Sequence, residues 1–337
     1  MKAIGYHSPQ PITSDSALVD LELPTPALRP RDLLVRVEAI SVNPVDVKVR
    51  AGVAPSDGAP KILGWDVSGT VEAVGAETTS FKPGDRVFYA GALDRPGANS
   101  ELHAVDERIV GRKPASLSFA EAAALPLTAV TAWELLFDRL AVPYGVKTPG
   151  DAILIVNGAG GVGSILIQLA RRLTGLTVIA TASRPETIEW VKAMGAHHVI
   201  DHRHPLDEGL SRIGIPDVRY VASLTGTDKH LPAIAKLIAP QGKLALIDAP
   251  KVLDIVPFKR KSVSVHWEFM FTRSMFGTPD IAAQGHLLNE IADLVDAGVL
   301  RSTLKAETGP INADSLKRAH ALVESGTAIG KNVIAGF

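Results

Sequence analysis

The stretch Gly158-Ala159-Gly160-Gly161-Val162-Gly163 restricts the fold of this chain more than any other segment. It meets the pattern GxGxxG in the setting that gives the pattern meaning, with the apolar run "AILIVNG" leading in and the helical run "GSILIQLARRLTG" leading out. The first glycine permits a tight turn, the second lets backbone approach a pyrophosphate, and the third allows a helix to pack closely on a strand. The helix start then offers unpaired N–H groups to an anion. Gly158, Gly160, Gly161, Val162 and Gly163 are therefore expected to hold a dinucleotide; the alternative is a glycine-rich connector with no ligand. Strand and helix patterns then alternate through "LTVIATA", "PETIEWVKAMGA", "HHVID", "VRYVASLTG", "DKHLPAIAKLIAP" and "GKLALIDAP". That order predicts an α/β fold with a doubly wound parallel sheet, a Rossmann domain.

The end of the second strand selects the dinucleotide, because a carboxylate there accepts a ribose 2′-hydroxyl whereas an arginine accommodates a 2′-phosphate. The chain reads "ATASRPETIEW", with Ser183 and Arg184 and no acid at the strand tip, which favours NADPH. Ser183 and Glu186 also satisfy a capping box with Pro185 in the first turn, a reading that needs no ligand.

Before residue 110 the pattern is different. Short alternating runs, "LLVRVEAISV", "VSGTVEAVG" and "RVFYAG", are separated by "RPRD", "KPGD" and "DRPGAN", and they read as antiparallel β structure. The period turns helical from "SLSFAEAAALPLTAVTAWELLFDRL", where Ser118 and Glu121 form a cap. Two further helical runs, 280 to 297 and 312 to 325, precede a terminal strand "KNVIAGF".

Lysines and arginines number 35 against 36 acids, with no basic block, which argues against nucleic-acid or anionic-membrane partners and for a small-molecule substrate. The chain has no cysteine, so disulfides, thiolate nucleophiles and cysteine-held metals are excluded. With no signal-peptide pattern at the N-terminus, the expected location is cytoplasmic.

The segments "NPVDVKVRAG", "LGWDVSGTVEAVG", "KPGDRVFYAG", "EAAALPLTAVTAWELL", "NGAGGVGSILIQLA" and "GKNVIAGF" stand in one order along the chain. Together they resemble the medium-chain dehydrogenase/reductase superfamily in its quinone-oxidoreductase-like branch, and "HWEFMFTRSMF" is similar to the subgroup labelled zinc-type alcohol dehydrogenase-like. The resemblance implies a GroES-like, partly open β-barrel catalytic domain from residues 1–124 and 266–337, around an inserted Rossmann NADP(H)-binding domain at 125–265. It also implies a homodimer joined through Rossmann sheet edges.

Zinc-dependent members of that family place a cysteine within the stretch that here reads "SVNPVDV", and a His-Glu pair where this chain has Trp65-Asp66. Indole offers only an N–H donor and ligates no metal, so no zinc is expected. Four histidines, at 197, 198, 202 and 204, lack a tetrahedral ligand spacing and read as solvated surface.

The same resemblance implies roles for single residues. Asn43 lies at the nicotinamide end and its amide is suited to donate to a developing oxyanion. Asp46 either orients Lys48 or closes the turn after Pro44. Thr131 presents a hydroxyl to the cofactor or bonds the preceding helical turn. Trp65 fills the space of the absent metal and lines the substrate end, and Asp66 braces the loop. His202 stands where relatives carry a tyrosine near the 2′-phosphate; it or Arg203 supplies charge there, or both sit at a solvated strand end. Lys331 and Asn332 match an element that closes over the cofactor, or form only a terminal strand. Tyr89 is a candidate proton donor in the pocket, though "RVFYAG" also reads as plain strand. Phe269, Phe271 and Phe276 either floor the acceptor pocket or cover an interface, and Glu268 pairs with Arg273.

These residues point to hydride transfer from NADPH to a quinone or an activated carbonyl or enone. The alternatives are an enoyl reductase, a zinc-type alcohol dehydrogenase, and an NADPH-binding sensor without turnover.

Overall fold

The computed structural model describes residues 1–337 apart from Asp57 and Lys147–Pro149. The chain divides into two compact units, Met1–Val130 with Phe271–Phe337, and Thr131–Met270.

The second unit is the Rossmann fold. Its six strands run parallel in the order His198–Ile200, Thr177–Thr181, Ala152–Val156, Val218–Ser223, Ile238–Leu246 and Ser264–Trp267. The apolar run Ala152–Val156 is buried at every position because helices cover both sheet faces. Leu154, Val156, Ile179, Val221, Ile234, Leu244 and Phe258 share one core. Two elements escape the sequence patterns, the helix Leu206–Arg212 and the edge strand Ser264–Trp267.

The first unit holds a seven-stranded sheet. The long strand Asp32–Ser41 is its hinge, pairing antiparallel with Val67–Val74 on one side and with both Leu102–Asp106 and Lys331–Ala335 on the other. Arg86–Tyr89 and Val110–Arg112 continue beyond Val67–Val74, and Leu304–Glu307 lies outside Lys331–Ala335. The C-terminal tail thus completes a sheet begun near the N-terminus. A smaller antiparallel sheet joins Val19–Glu22, Lys2–Tyr6 and Lys61–Ile62.

The Ser118 cap forms as expected: Ser118 N–H donates to Glu121 Oε2 at 2.9 Å and Glu121 N–H to Ser118 Oγ at 3.2 Å. Helix Phe119–Ala123 then stops, Pro126–Trp133 restarts, and a π-turn follows at Glu134–Arg139. Among the described residues, only Phe119–Arg139 is long and apolar enough to cross a membrane, and 83% of its most apolar window is buried inside the protein.

Candidate active site

In the Rossmann unit the glycine loop is tied to the neighbouring strand. Asn157 takes a left-handed φ of 66°, its N–H donates to Thr181 Oγ1 at 2.8 Å, and Gly158 N–H donates to the Thr181 carbonyl at 3.1 Å. A Cβ at Gly158 would lie 2.7 Å from Ala180 Cβ, and one at Gly163 would lie 2.5 Å from the Asn157 carbonyl. These two glycines are therefore demanded by packing within the protein. Gly160 is not: the nearest atom to its notional Cβ is Asn157 Nδ2 at 3.2 Å, so the space above it is left for a ligand's approach. Helix Gly161–Leu173 begins there with no side-chain cap, presenting its first N–H groups outward, with Arg171 and Arg172 in its last turn to complement the dipole. This cradle fits the pyrophosphate of a dinucleotide.

At the tip of Thr177–Thr181 the expected capping box does not form. The helix Pro185–Met194 is capped one residue later, at Arg184, whose N–H donates to Thr187 Oγ1 at 3.0 Å. Pro185, fixed at the first helical position, sets this register, and Glu186 pairs instead with the Arg184 guanidinium at 3.3 Å. The Ser183 hydroxyl has no hydrogen-bond partner among the described residues and sits half-buried at the strand end.

His202 is also sharpened by its contacts. Thr181 Oγ1 accepts from Asn157 N–H and lies 3.3 Å from His202 Nδ1, a hydrogen bond that either tautomer of the ring can make. Burial holds the His202 pKa below its ordinary value. Arg203 is tied to Asp201 at 2.6 Å. Arg184 is likewise paired with an acid, Glu186, so both strand ends carry a guanidinium beside a carboxylate. His197 is likewise more than surface, its Nδ1 accepting from Val178 N–H at 2.9 Å.

In the barrel unit, the loop after Asp32–Ser41 and the loop holding Trp65 meet the last strand in a wholly buried polar cluster. Asn43 precedes Pro44, the first residue of helix Pro44–Gly52, and its N–H donates to Asp46 Oδ2 at 2.7 Å. Asp46 Oδ1 accepts from Gly64 N–H at 3.0 Å. Asp46 therefore closes the turn and does not orient Lys48, whose side chain is exposed. Burial pushes the Asp46 carboxyl up to about 7 against the pull of those N–H donors and of Lys331. Asp66 accepts four donors: Ser41 Oγ, Asn43 Nδ2 and Lys331 Nζ at 2.9 Å each, and Leu127 N–H at 2.8 Å.

Lys331 departs from expectation. Its ammonium is buried and directs its protons to Asp66 at 2.9 Å, the Val42 carbonyl at 3.0 Å and Asn43 Oδ1 at 2.5 Å. With all three N–H groups engaged inside the unit, none is left for a cofactor. Its neighbour Asn332 is half-buried and paired in register with Ala306.

Trp65 is 1% exposed, donates its indole N–H to the Ala92 carbonyl at 3.1 Å, and meets Phe271 edge-on with ring centroids 6.2 Å apart. Gly64 before it adopts φ of 108°, and a Cβ there would sit 2.4 Å from Asn99 Oδ1, so the sharp approach needs glycine. Tyr89 is unsuited to proton donation. His103 Nε2 lies 3.0 Å from the Pro96 carbonyl, which only accepts, so Nε2 carries the proton and Nδ1 accepts the Tyr89 hydroxyl at 3.0 Å. Burial pushes Tyr89 well above its usual range and His103 down to about 4.

The aromatic trio separates: Phe271 is buried, while Phe269 and Phe276 are 46% and 76% exposed. Thr131 is buried in helix Pro126–Trp133. Glu268 does not pair with Arg273, which binds Asp280 at 2.9 Å; its partner is Arg139 at 2.8 Å, and Arg139 also stands 3.8 Å from Glu134. Burial, then the neighbouring Glu134 charge, pushes Glu268 up to about 9. Nothing in the sequence pairs residues 129 positions apart, and the sequence reading also missed Ser41 and Thr181.

Comparison with known proteins accounts for this architecture. Residues 29–133 match the alcohol dehydrogenase GroES-like domain and residues 194–334 the zinc-binding dehydrogenase domain. A zinc-type alcohol dehydrogenase-like protein of Staphylococcus aureus is 40% identical over 99% of both chains. The 2-methylene-furan-3-one reductase of Solanum lycopersicum is 30% identical over 95% of this chain and 76% of its own. Among solved structures, a putative zinc-dependent alcohol dehydrogenase protein from Rhizobium etli is 60% identical, with a TM-score of 0.96 over 100% of this chain and 98% of that one. The Escherichia coli quinone oxidoreductase complexed with NADPH is 26% identical, with a TM-score of 0.84 over 99% and 100%.

Zinc, which these names carry, does not suit the residues present. The indole at position 65 has no lone pair for a metal, Asp66 is filled by four donors including an ammonium, and the chain has no cysteine. Among the described residues no group of three or more His, Cys, Asp or Glu stands together to hold a metal ion. With 40% identity running end to end and both family domains matched, the chain belongs to the medium-chain dehydrogenase/reductase superfamily of nicotinamide-dependent oxidoreductases, in the group called zinc-type alcohol dehydrogenase-like.

Proposed function

We propose that this oxidoreductase uses NADPH to reduce a quinone or an activated carbonyl or enone, without zinc. The observation that carries the reading is the Asn43-Asp66-Lys331 cluster, in which an amide and an ammonium take up the carboxylate that a metal would need. Acceptors of this kind are already electron-poor, so orientation and a hydrogen bond to the acceptor oxygen are the help they need. NADPH, when bound, supplies the hydride. Gly158, Gly160, Gly161, Val162 and Gly163 hold its pyrophosphate, and Ser183 and Arg184, with His202, receive its 2′-phosphate. Asn43 serves the acceptor oxygen, Thr131 faces the cofactor, and Trp65, Phe269 and Phe271 shape the acceptor's surroundings. The barrel segments 1–124 and 266–337 are read as the catalytic part and 125–265 as the NADP(H)-binding part.

The known reductases among its relatives support this class: one reduces a methylene-furanone, and another, a quinone oxidoreductase, was solved with NADPH. A homodimer is read from the edge strand Ser264–Trp267, beside which Val252, Ile255, Val256 and Trp267 are exposed. The chain is assigned to the cytoplasm on its lack of cysteine.

The test follows NADPH absorbance with a panel of quinones, enones and aldehydes, with and without chelator. Oxidation unaffected by chelator is expected. Activity that requires added zinc would overturn the metal-free reading, and tight NADPH binding with no turnover on any acceptor would leave the sensor alternative. Arg184→Glu is expected to lower kcat/KM for NADPH roughly 10- to 100-fold, as loss of a charge-assisted contact does, with little change for NADH. An unchanged NADPH/NADH ratio would remove Arg184 from the phosphate site.

A further inference from the structure

The two hydrogen-bonding ends of the Asn43 amide face partners of opposite character. Lys331 Nζ, which only donates, lies 2.5 Å from Oδ1, and Asp66 Oδ2, which as a carboxylate only accepts, lies 2.9 Å from Nδ2. The flip of this amide is therefore fixed by chemistry, since the reverse orientation would set NH₂ against an ammonium and a carbonyl oxygen against a carboxylate. One Nδ2 proton is spent on Asp66. The other has no partner among the described residues.

We infer that Lys331 is a positioning residue, whose buried ammonium locks the Asn43 amide so that its remaining N–H points to the oxygen of the acceptor. This rests on the acceptor reading given above. Ser41 Oγ and Leu127 N–H, both on Asp66, hold the carboxylate that completes the lock, and Asp46 fixes the Asn43 backbone. As hydride adds to the acceptor, an electron pair enters its conjugated system and negative charge gathers on its oxygen. The Asn43 N–H bonds that oxygen more strongly as the charge grows and keeps its own proton; the proton that completes reduction comes from water. Lys331 touches neither acceptor nor cofactor, so its effect is on the rate of the step and not on binding.

The experiment compares wild type with Lys331→Met and Lys331→Arg. Removing one donor to an oxyanion costs about 10²–10³ in kcat, so Lys331→Met is expected to lose on the order of 10- to 100-fold in kcat. KM for the acceptor and the NADPH dissociation constant, read from nicotinamide fluorescence, should stay within about threefold, and Lys331→Arg should restore part of the loss by keeping a cation there. A second readout needs no cofactor. In the ¹⁵N spectrum of the unliganded protein, the Asn43 side-chain amide, identified by its loss in Asn43→Asp, should hold its Asp66-bound proton against exchange with solvent, and that protection should be lost in Lys331→Met.

Weakened NADPH binding with kcat retained would make Lys331 a cofactor contact and overturn the proposal. So would a lowered Tm with unchanged kcat, or a wild-type Asn43 amide whose protons exchange with solvent as fast as those of an exposed amide. The last measurement decides the matter even if Lys331→Met fails to fold. A wild type that reduces no acceptor would overturn the functional reading instead, leaving the amide signals to judge the lock.

Discussion

Each unit of the protein buries two acids close to one cation, and the two pairs are supplied with donors very differently. In the barrel unit Asp66 receives an ammonium, an amide, a hydroxyl and a backbone N–H, while Asp46 receives two backbone N–H groups. In the Rossmann unit Glu134 and Glu268 share the single guanidinium of Arg139, at 3.8 and 2.8 Å. Their separation from water is similar, both glutamates being almost wholly buried. The number and charge of donors make the difference. Glu268 is pushed up to about 9, so it carries a proton at neutral pH beside Glu134. Asp46, with two backbone N–H donors and Lys331 nearby, is raised to about 7, whereas Glu268, with a second acid beside it, is driven further.

The comparison is broken most severely by removing the charge partner in the well-supplied cluster. Asp66→Ala leaves the Lys331 ammonium buried without its counter-charge, and is expected to cost roughly 3–5 kcal/mol in urea unfolding. A loss below about 1 kcal/mol would mean that the cluster is wetter than its burial implies.

Glu268 tests the poorly supplied pair through pH. Its ordinary carboxyl value is 4.5 and its folded value about 9, so between them the folded chain holds a proton that the unfolded chain has released. The stability this group gives is full below about 4.5 and drains away as pH rises toward 9. Glu268→Gln cannot release that proton. The variant should therefore gain on wild type between pH 6 and 9 by on the order of 2 kcal/mol, less than the full single-site shift because Glu134 shares the proton. Parallel stability curves for the two proteins would contradict the shared proton.

The smallest effect belongs to Ser41→Ala, which takes one donor of four from Asp66. Three donors remain, and the expected loss is about 0.5–1.5 kcal/mol by thermal unfolding. A loss as large as that of Asp66→Ala would show that the donors do not act as separate contributions.

The two regions also differed in what could be read from the chain. The Rossmann strands were legible because parallel strands covered on both faces are continuously apolar, and because Gly158 and Gly163 are needed wherever that turn occurs. The helix Leu206–Arg212 was not, since "LDEGLSR" has only two buried residues and no stripe to display a period. At the strand tip the local pattern misled: it put the cap at Ser183, and with Pro185 at the first helical position the cap falls at Arg184. The barrel cluster was partly legible, with Asn43, Asp46, Trp65, Asp66 and Lys331 all singled out. The direction of Lys331 was not, because alternation along a strand says which residues share a face and not which distant acid that face meets. The same limit hid Arg139 from Glu268.

The last strand carries a consequence for the order in which the chain can be assembled. Lys331 reaches the Val42 carbonyl across 289 positions, and the whole Rossmann unit is synthesised in the interval. Until the strand Lys331–Ala335 arrives, Asp66 has no ammonium and Asp32–Ser41 lacks its pairing at Ala39–Ser41. The Rossmann unit, one continuous segment, has no such wait. A nascent chain halted before Lys331 should therefore resist protease across residues 151–270 while remaining cleavable in the barrel segments, and equal protection of both would refute this order. The ammonium that aligns an amide in the finished protein is, during synthesis, the latch by which the oldest part of the chain is closed by the youngest.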